Sequence, residues 1–245
     1  FDCFVPELRG SGESERPDYR WRVDEYLEYD LPAFLETIRN VTGRDELHWI
    51  GHSMGGQVAT LYAGVRPERV AKLVNLEGFG MATTRPTQAA GRYAKWIDEL
   101  KTMHKGELDL KPYADLEGVA KRLMKTNPRL SSDKAHWLAS HWAQPNAEGE
   151  WRILGHAAHK VINAQLFKLD EVLNIYERIT APTLFAMADT DSLAQWWKGK
   201  YTLDEFKQRI ASIPDLRHAV IPDAGHMLHH DQPEKLAQLI EEFLA

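Results

Sequence analysis

Gly51-His52-Ser53-Met54-Gly55-Gly56 is the most informative segment of this chain. It follows a short apolar run at residues 46–50, which is typical of a buried strand. After it, residues 57–65 place apolar side chains at helical spacing, and Pro67 ends that helix. The sequence therefore predicts a strand, a sharp turn and a helix, with Ser53 at the apex of the turn.

The glycines around Ser53 allow the chain to turn sharply at this residue. Gly51 and Gly55 flank the serine as G-x-S-x-G, and we expect a strained turn with no room for a side chain at either glycine. Such a turn lifts the serine oxygen above the sheet and directs the N–H of Met54 toward a bound carbonyl. A P-loop needs Gly-Lys-Ser/Thr and a dinucleotide-binding turn needs G-x-G-x-x-G, so the spacing favours a nucleophile over a phosphate site.

Composition narrows the class of protein. The 245 residues are 43% hydrophobic and 27% charged, which fits one large α/β domain or a core with an inserted lid. The net charge of −6, without a long basic run, argues against nucleic acid as a main partner. No stretch approaches the roughly 18 apolar residues of a membrane span. Cys3 is the only cysteine, so no disulfide can form within the chain and a cytoplasmic location is expected.

The predicted strand–turn–helix around Ser53 resembles the nucleophile elbow of the α/β-hydrolase family. Residues 6–14 also resemble the D-x-R-G-x-G-x-S loop of that family, with Glu7 where Asp is common. The resemblance covers residues 1–245 and implies an α/β fold with a mostly parallel sheet flanked by helices. Residues 1–5 resemble the middle of a strand that three strands and a helix normally precede. We therefore expect the N-terminal strands, and the loop that supplies half of the oxyanion hole, to be missing from this sequence.

The middle of the chain resembles the inserted helical cap of this family. Residues 81–178 contain no run typical of a central strand, whereas residues 1–80 and 179–245 are predicted to form the core. Four helical stretches are predicted at residues 89–100, 116–125, 132–143 and 170–179. Half of the eight tryptophans lie in this insertion. They suit a lid that buries an apolar substrate, although the same residues could instead hold the cap onto the core.

A serine nucleophile needs a base, and His226 is the predicted one. Histidine takes and returns a proton near neutral pH. Among eleven histidines, His226 lies in a glycine-containing loop between the predicted last strand and last helix, where the histidine of the family falls. The residues at 222–226 and 230–234 closely resemble the family's pattern there, with Asp231 as a plausible cap for the closing helix.

Three carboxylates are candidates for the residue that orients this histidine. The family's usual pattern is a strand followed by Gly-x-x-Asp, which selects Asp191 after the predicted strand at residues 183–187, with Ala188 where glycine is expected. Asp189 lies in the same loop. Some relatives use a carboxylate after the earlier strand, where Glu77 stands. Asp191 is the preferred acid, and Glu77 and Asp189 are the alternatives.

Together these residues predict a serine hydrolase. The resemblance implies that Ser53, His226 and Asp191 cleave a carboxylic ester of a small-molecule acyl substrate through an acyl-enzyme, with the Met54 N–H in the oxyanion hole and without cofactor or metal. The His156–His159 and His229–His230 pairs lack the H-E-x-x-H context of a zinc site. Details such as residues 75–80 resemble the serine hydrolase-like subgroup.

Three alternatives remain open on the sequence. A carbon–carbon bond hydrolase of the meta-cleavage type uses the same triad and a cap, but usually carries Asn where His52 stands. A cofactor-free perhydrolase uses the same three residues with peroxide in place of water. From a different class, the chain could be a ligand-binding or inactive relative. Epoxide hydrolases and haloalkane dehalogenases place Asp at the apex of the elbow, so Ser53 argues against both.

Overall fold

The computed structural model describes residues 3–15, 25–44 and 47–245. The chain divides into two compact units, one of residues 1–47 with 89–165 and one of residues 48–88 with 166–245. In chain order the α-helices and strands of the described residues are α1 (Leu31–Thr42), β1 (Trp49–His52), α2 (Met54–Val65), β2 (Leu73–Leu76), α3 (Ala89–His104), α4 (Leu116–Thr126), α5 (Ser132–Trp142), β3 (Ala143–Pro145), β4 (Trp151–Ile153), α6 (Leu169–Glu177), β5 (Thr183–Ala188), α7 (Ser192–Trp197), α8 (Leu203–Ile210), β6 (Leu216–Ile221), α9 (Leu228–Asp231) and α10 (Pro233–Leu244), and a π-helical turn at Tyr26–Asp30 precedes α1.

The second unit is built on a four-stranded parallel sheet in the order β1-β2-β5-β6. β1 and β2 pair from Trp49 with Leu73 to His52 with Leu76. Because all four strands run the same way, their carboxyl ends lie at one edge of the sheet. Ser53 and Glu77 immediately follow β1 and β2 at this edge, so the register places them on neighbouring strands.

Both faces of this sheet are covered, which explains the apolar runs in the sequence. Phe185 and Met187 of β5 belong to a buried cluster that also includes residues of α6 and α8. Leu184 and Ala186 belong to a second buried cluster that includes residues of α9 and α10. The alternation along β5 follows the two-residue period of a strand. The prediction of a parallel sheet flanked by helices is confirmed.

Helix α6 belongs to the unit that contains the sheet, although the sequence analysis assigned residues 81–178 to the cap. It packs closely on α2: a Cβ on Gly64 would lie 2.1 Å from the Ile175 carbonyl oxygen. The Tyr176 hydroxyl also donates to Oε1 of Gln57 at 2.9 Å. Because these contacts join α6 to the helix after Ser53, residues 166–178 group with the sheet.

In the first unit, α4 and α5 pack on the antiparallel hairpin of β3 and β4, which the sequence analysis did not predict. Trp151 of this hairpin packs against the buried cluster of the unit. Trp137 and Trp142 are exposed. Near the start of the chain, the Arg9 guanidinium binds Asp30 at 2.8–3.1 Å, so this arginine fixes its loop to the start of α1.

The structure differs from the predictions for the first strand and for the cap of the last helix. Residues 3–5 form no strand, so that prediction is wrong for them, while residues 1–2 lie outside the described ranges. Asp231 was predicted to cap the closing helix, but α10 begins at Pro233 with Gln232 before it and no side-chain cap. Asp231 instead ends the short helix α9, and its carboxylate contacts the preceding loop.

Candidate active site

Ser53 occupies a strained turn between β1 and α2, with φ 54° and ψ −118°. A Cβ on Gly51 would lie 2.3 Å from the Gly55 carbonyl oxygen, so only glycine fits at that position. The prediction that Gly55 also lacks room is wrong, because a Cβ there meets no described atom within 4 Å. The close approach comes one residue later, at Gly56, where a Cβ would lie 2.4 Å from Oδ1 of Asn75.

His226 connects the serine to a carboxylate. Its Nε2 lies 2.9 Å from Ser53 Oγ, and its Nδ1 lies 3.2 Å from Oε2 of Glu77. A carboxylate can only accept, so Nδ1 carries the proton and Nε2 accepts from the serine hydroxyl. The imidazole is therefore held in the tautomer that a general base requires. The structure brings Ser53 and His226 together, as the sequence analysis expected.

The side chain of Glu77 is completely buried, and its carboxylate accepts hydrogen bonds from two groups besides His226. The Ala188 N–H donates to Oε1 at 2.7 Å, and the Ser192 hydroxyl donates to Oε2 at 2.8 Å. Glu77 has φ 55°, a conformation uncommon for a residue other than glycine. The turn is held by Asn75, whose Oδ1 accepts from the Gly78 N–H at 2.9 Å. These contacts hold the carboxylate facing His226.

Asp191 does not contact His226 in this structure, which corrects the preferred assignment of the acid. Its Oδ1 accepts from the Ala194 N–H at 2.9 Å, so it caps the first turn of α7. Asp189 accepts from the N–H groups of Asp223 and Ala224 at 2.8 and 3.1 Å and thereby supports the loop before His226. Of the three candidates, the structure places Glu77 against the histidine.

The loop that carries His226 is also held by two other side chains. Asp231 Oδ2 accepts from the Gly225 N–H at 2.8 Å. His52 Nε2 lies 2.8 Å from the carbonyl oxygen of His226. A carbonyl only accepts, so His52 donates through Nε2. The sequence analysis gave no role to either contact.

Two aromatic rings pack against the His226 imidazole. The Trp196 ring lies 4.1 Å from it, centroid to centroid, at 86°, and the His52 ring lies 4.7 Å from it. His229 packs on His52 at 4.6 Å. Burial lowers the pKa of His52, and burial likewise lowers the pKa of His229 to about 3. Both of these imidazoles are therefore neutral near pH 7.

Trp196, Ser192 and His52 are site residues that the sequence analysis missed. Ser192 and Trp196 lie on α7, whose start is marked by its cap at Asp191. No periodic pattern distinguishes Trp196, because α7 has only six residues. His52 was visible as the second residue of the G-x-S-x-G motif, but the motif alone does not show where its side chain points.

Within the described ranges, no group of three or more His, Cys, Asp and Glu side chains could hold a metal ion. None of the helices described for this chain is long and apolar enough to cross a membrane.

Comparison with known proteins adds the following likenesses. A family model described as alpha/beta hydrolase fold matches residues 1–233. The serine hydrolase-like protein of Danio rerio is 26% identical over 225 residues, which are 88% of this chain and 67% of that protein. The 2-(acetamidomethylene)succinate hydrolase of Mesorhizobium japonicum is 21% identical over 244 residues, which are 100% of this chain and 78% of that protein. The solved thioesterase domain from the curacin biosynthetic pathway superposes with a TM-score of 0.73 and 23% identity, covering 97% of this chain and 80% of the domain. At this identity, the structural likeness supports the fold alone.

Proposed function

Because this chain belongs to the α/β-hydrolase family, we propose that it is a serine hydrolase whose catalytic triad is Ser53, His226 and Glu77. The observation that carries the proposal is the continuous hydrogen-bonded path from Ser53 Oγ through both nitrogens of His226 to the Glu77 carboxylate. Nucleophile, base and orienting acid in this order are the arrangement that activates a serine.

The chemistry follows from the position of each proton. As Ser53 Oγ attacks the substrate carbonyl, His226 Nε2 accepts the hydroxyl proton. Glu77 holds the ring through Nδ1 and stabilises the imidazolium that forms. The tetrahedral intermediate then collapses, the leaving group departs with the proton from Nε2, and an acyl-enzyme remains. Water deprotonated by His226 cleaves the acyl-enzyme and regenerates Ser53.

The Met54 N–H is the proposed donor to the oxyanion. Met54 is the first residue of α2, and an N–H at the start of a helix has no partner within the helix. The positive end of the helix dipole also favours negative charge at this point. Removing one such donor typically lowers the rate by about 10²- to 10³-fold.

A carboxylic ester with an apolar acyl group is the proposed substrate. Met54 is 80% exposed beside the nucleophile, and Trp196 is 46% exposed beside the base. Two exposed apolar side chains, one beside the nucleophile and one beside the base, favour an apolar group over a charged one. The carbon–carbon bond hydrolase and the perhydrolase would use the same three residues, and no contact in the structure favours either.

Labelling with a fluorophosphonate tests the proposal, since only an activated serine reacts with such a probe. We expect the wild-type chain to be labelled and Ser53→Ala to be unlabelled. Ser140, an exposed serine in the other unit, offers a matched control, and Ser140→Ala should be labelled like the wild type. Folded wild-type protein that resists labelling would favour the ligand-binding alternative, whereas labelling of Ser53→Ala would show that a residue other than Ser53 is the reactive nucleophile. A panel of p-nitrophenyl esters of increasing chain length then tests the acyl preference.

A further inference from the structure

The residue immediately before the nucleophile contacts the residue that supplies the base. His52 Nε2 lies 2.8 Å from the carbonyl oxygen of His226, 174 residues away in the sequence. From this geometry we propose that His52 is a positioning residue, which sets the distance between Ser53 Oγ and His226 Nε2. The inference rests on the proposed function of those two residues.

The link is short and rigid on the side of the serine. His52 is the last residue of β1 and pairs in register with Leu76. The Ser53 N–H continues this pairing by donating to the Leu76 carbonyl oxygen at 2.8 Å. The Cα of His52 and that of Ser53 are therefore both fixed to β2, and a bond from the His52 ring transfers this position to the loop of His226.

His226 needs such a link because its loop has no ladder of backbone hydrogen bonds. The loop after β6 is held instead by side chains, with Asp189 and Asp231 bonded to the N–H groups of residues 223–225. Those bonds all precede His226. The bond from His52 is made to the His226 carbonyl itself, so it fixes the backbone of the catalytic histidine on the side nearest the serine.

The surroundings of His52 keep its ring in the state that donates. Its ring packs against those of His226 and His229, and burial favours the neutral form. In a neutral imidazole only one nitrogen carries a proton. The bond to the His226 carbonyl places that proton on Nε2. His52 is thus a fixed donor and not a second base.

Four forms of the full chain test this role: wild type, His52→Gln, His52→Phe and His218→Phe. Gln places an amide donor near the position of the His52 Nε2, whereas Phe keeps a ring without a donor. His218 lies on β6 and is exposed, so His218→Phe is the matched control. The readouts are the rate of fluorophosphonate labelling, kcat and KM on a p-nitrophenyl ester, and the tautomer of His52 from long-range ¹H–¹⁵N spectra.

We expect His52→Phe to lower the labelling rate and kcat by about tenfold to a hundredfold, the range for one lost hydrogen bond at a buried site, with KM changed less than about twofold. His52→Gln should restore both to within about threefold of the wild type, and His218→Phe should match the wild type. The wild-type spectra should show His52 neutral and protonated on Nε2.

The outcomes separate this inference from the proposed function. Equal rates for His52→Phe and His218→Phe, or a His52 ring protonated on Nδ1, would overturn the positioning role while labelling of Ser53 still supported a serine hydrolase. Should His52→Phe fail to fold, His52→Gln and the wild-type spectra still decide the matter. Failure of wild-type labelling would instead overturn the proposed function, and the positioning role with it.

Discussion

Replacing Glu77 with Gln is the sharpest test of which carboxylate orients His226 in the proposed triad. The two oxygens of Glu77 face two N–H donors, Ala188 N at 2.7 Å and His226 Nδ1 at 3.2 Å. An amide has one oxygen and one NH₂ group, so in either orientation one of these donors meets another donor. A Gln side chain at this position cannot move away to relieve the clash, because the Glu77 side chain that it replaces is completely buried.

The expected loss follows from the tautomer. The Ala188 N–H belongs to the backbone and cannot turn away, whereas an imidazole can move its proton, so we expect the amide oxygen to face Ala188 and the NH₂ to face His226. The imidazole then carries its proton on Nε2 and cannot accept from Ser53. The corresponding change from acid to amide in a serine protease lowers kcat by about 10⁴-fold, which is about 5 kcal/mol of activation free energy. We expect kcat/KM on a p-nitrophenyl ester and the rate of fluorophosphonate labelling to fall by about this factor in Glu77→Gln.

Asp191→Asn is the matched control, since it makes the same change of acid to amide in the carboxylate that the sequence analysis preferred. Asn caps a helix about as well as Asp, so α7 should keep its first turn and activity should stay within a few-fold of the wild type. Circular dichroism and urea unfolding check that both variants fold. A loss of about 10⁴-fold in Asp191→Asn, with Glu77→Gln close to wild type, would refute the assignment of the acid.

Three further predictions concern stability, each measured as the free energy of unfolding in urea. Gly51→Ala should destabilise by about 1–3 kcal/mol because its Cβ meets the Gly55 carbonyl, whereas Gly55→Ala should stabilise by up to about 1 kcal/mol; similar values for the two would contradict the geometry. Ser53→Gly should be more stable than Ser53→Ala by about 1–3 kcal/mol because φ is 54°, and equal stabilities would show that the turn is unstrained. The pKa of His229 is lowered to about 3 in the folded state and is near 6.5 when unfolded, so the unfolded state binds more protons between these values and stability falls as the pH drops through this range. Between pH 7 and 5, His229→Phe should therefore lose less stability than the wild type. The difference between the two should be less than about 1 kcal/mol per pH unit because the ring is partly exposed. Parallel curves of unfolding free energy against pH would refute the role of His229.

The sharp turn at Ser53 was predictable because its determinants are local. A strand, a glycine at 51 and a helix beginning at Met54 lie within a few residues of one another, and steric contact between Gly51 and Gly55 involves no distant part of the chain. His226 was found in the same way, from a glycine-containing loop between a strand and a helix. Its contact with Ser53 agrees with the general rule that sites form at the carboxyl edge of a parallel sheet.

The choice between Glu77 and Asp191 was not local. Both follow strands that end at the same edge, and the family's usual spacing favoured Asp191, whereas the structure places Glu77 against His226. The sequence did indicate a structural role for Asp191, since an Asp directly before Ser192 and a short apolar segment is typical of a helix N-cap. Glu77 was marked only by its position after the earlier strand, because the three hydrogen-bonding partners of its carboxylate lie more than 100 residues away.

The amino-acid sequence was sufficient to predict the parallel α/β architecture, the serine at the turn and the histidine in the last loop. These follow from hydrophobic period and from the conformational limits of glycine and proline, which act over short distances. The three-dimensional packing was needed to identify the carboxylate that faces His226 and the contact between His52 and the His226 backbone. Those contacts depend on the register of β1, β2 and β5 and on the direction in which each side chain leaves its strand, and packing across the sheet fixes both.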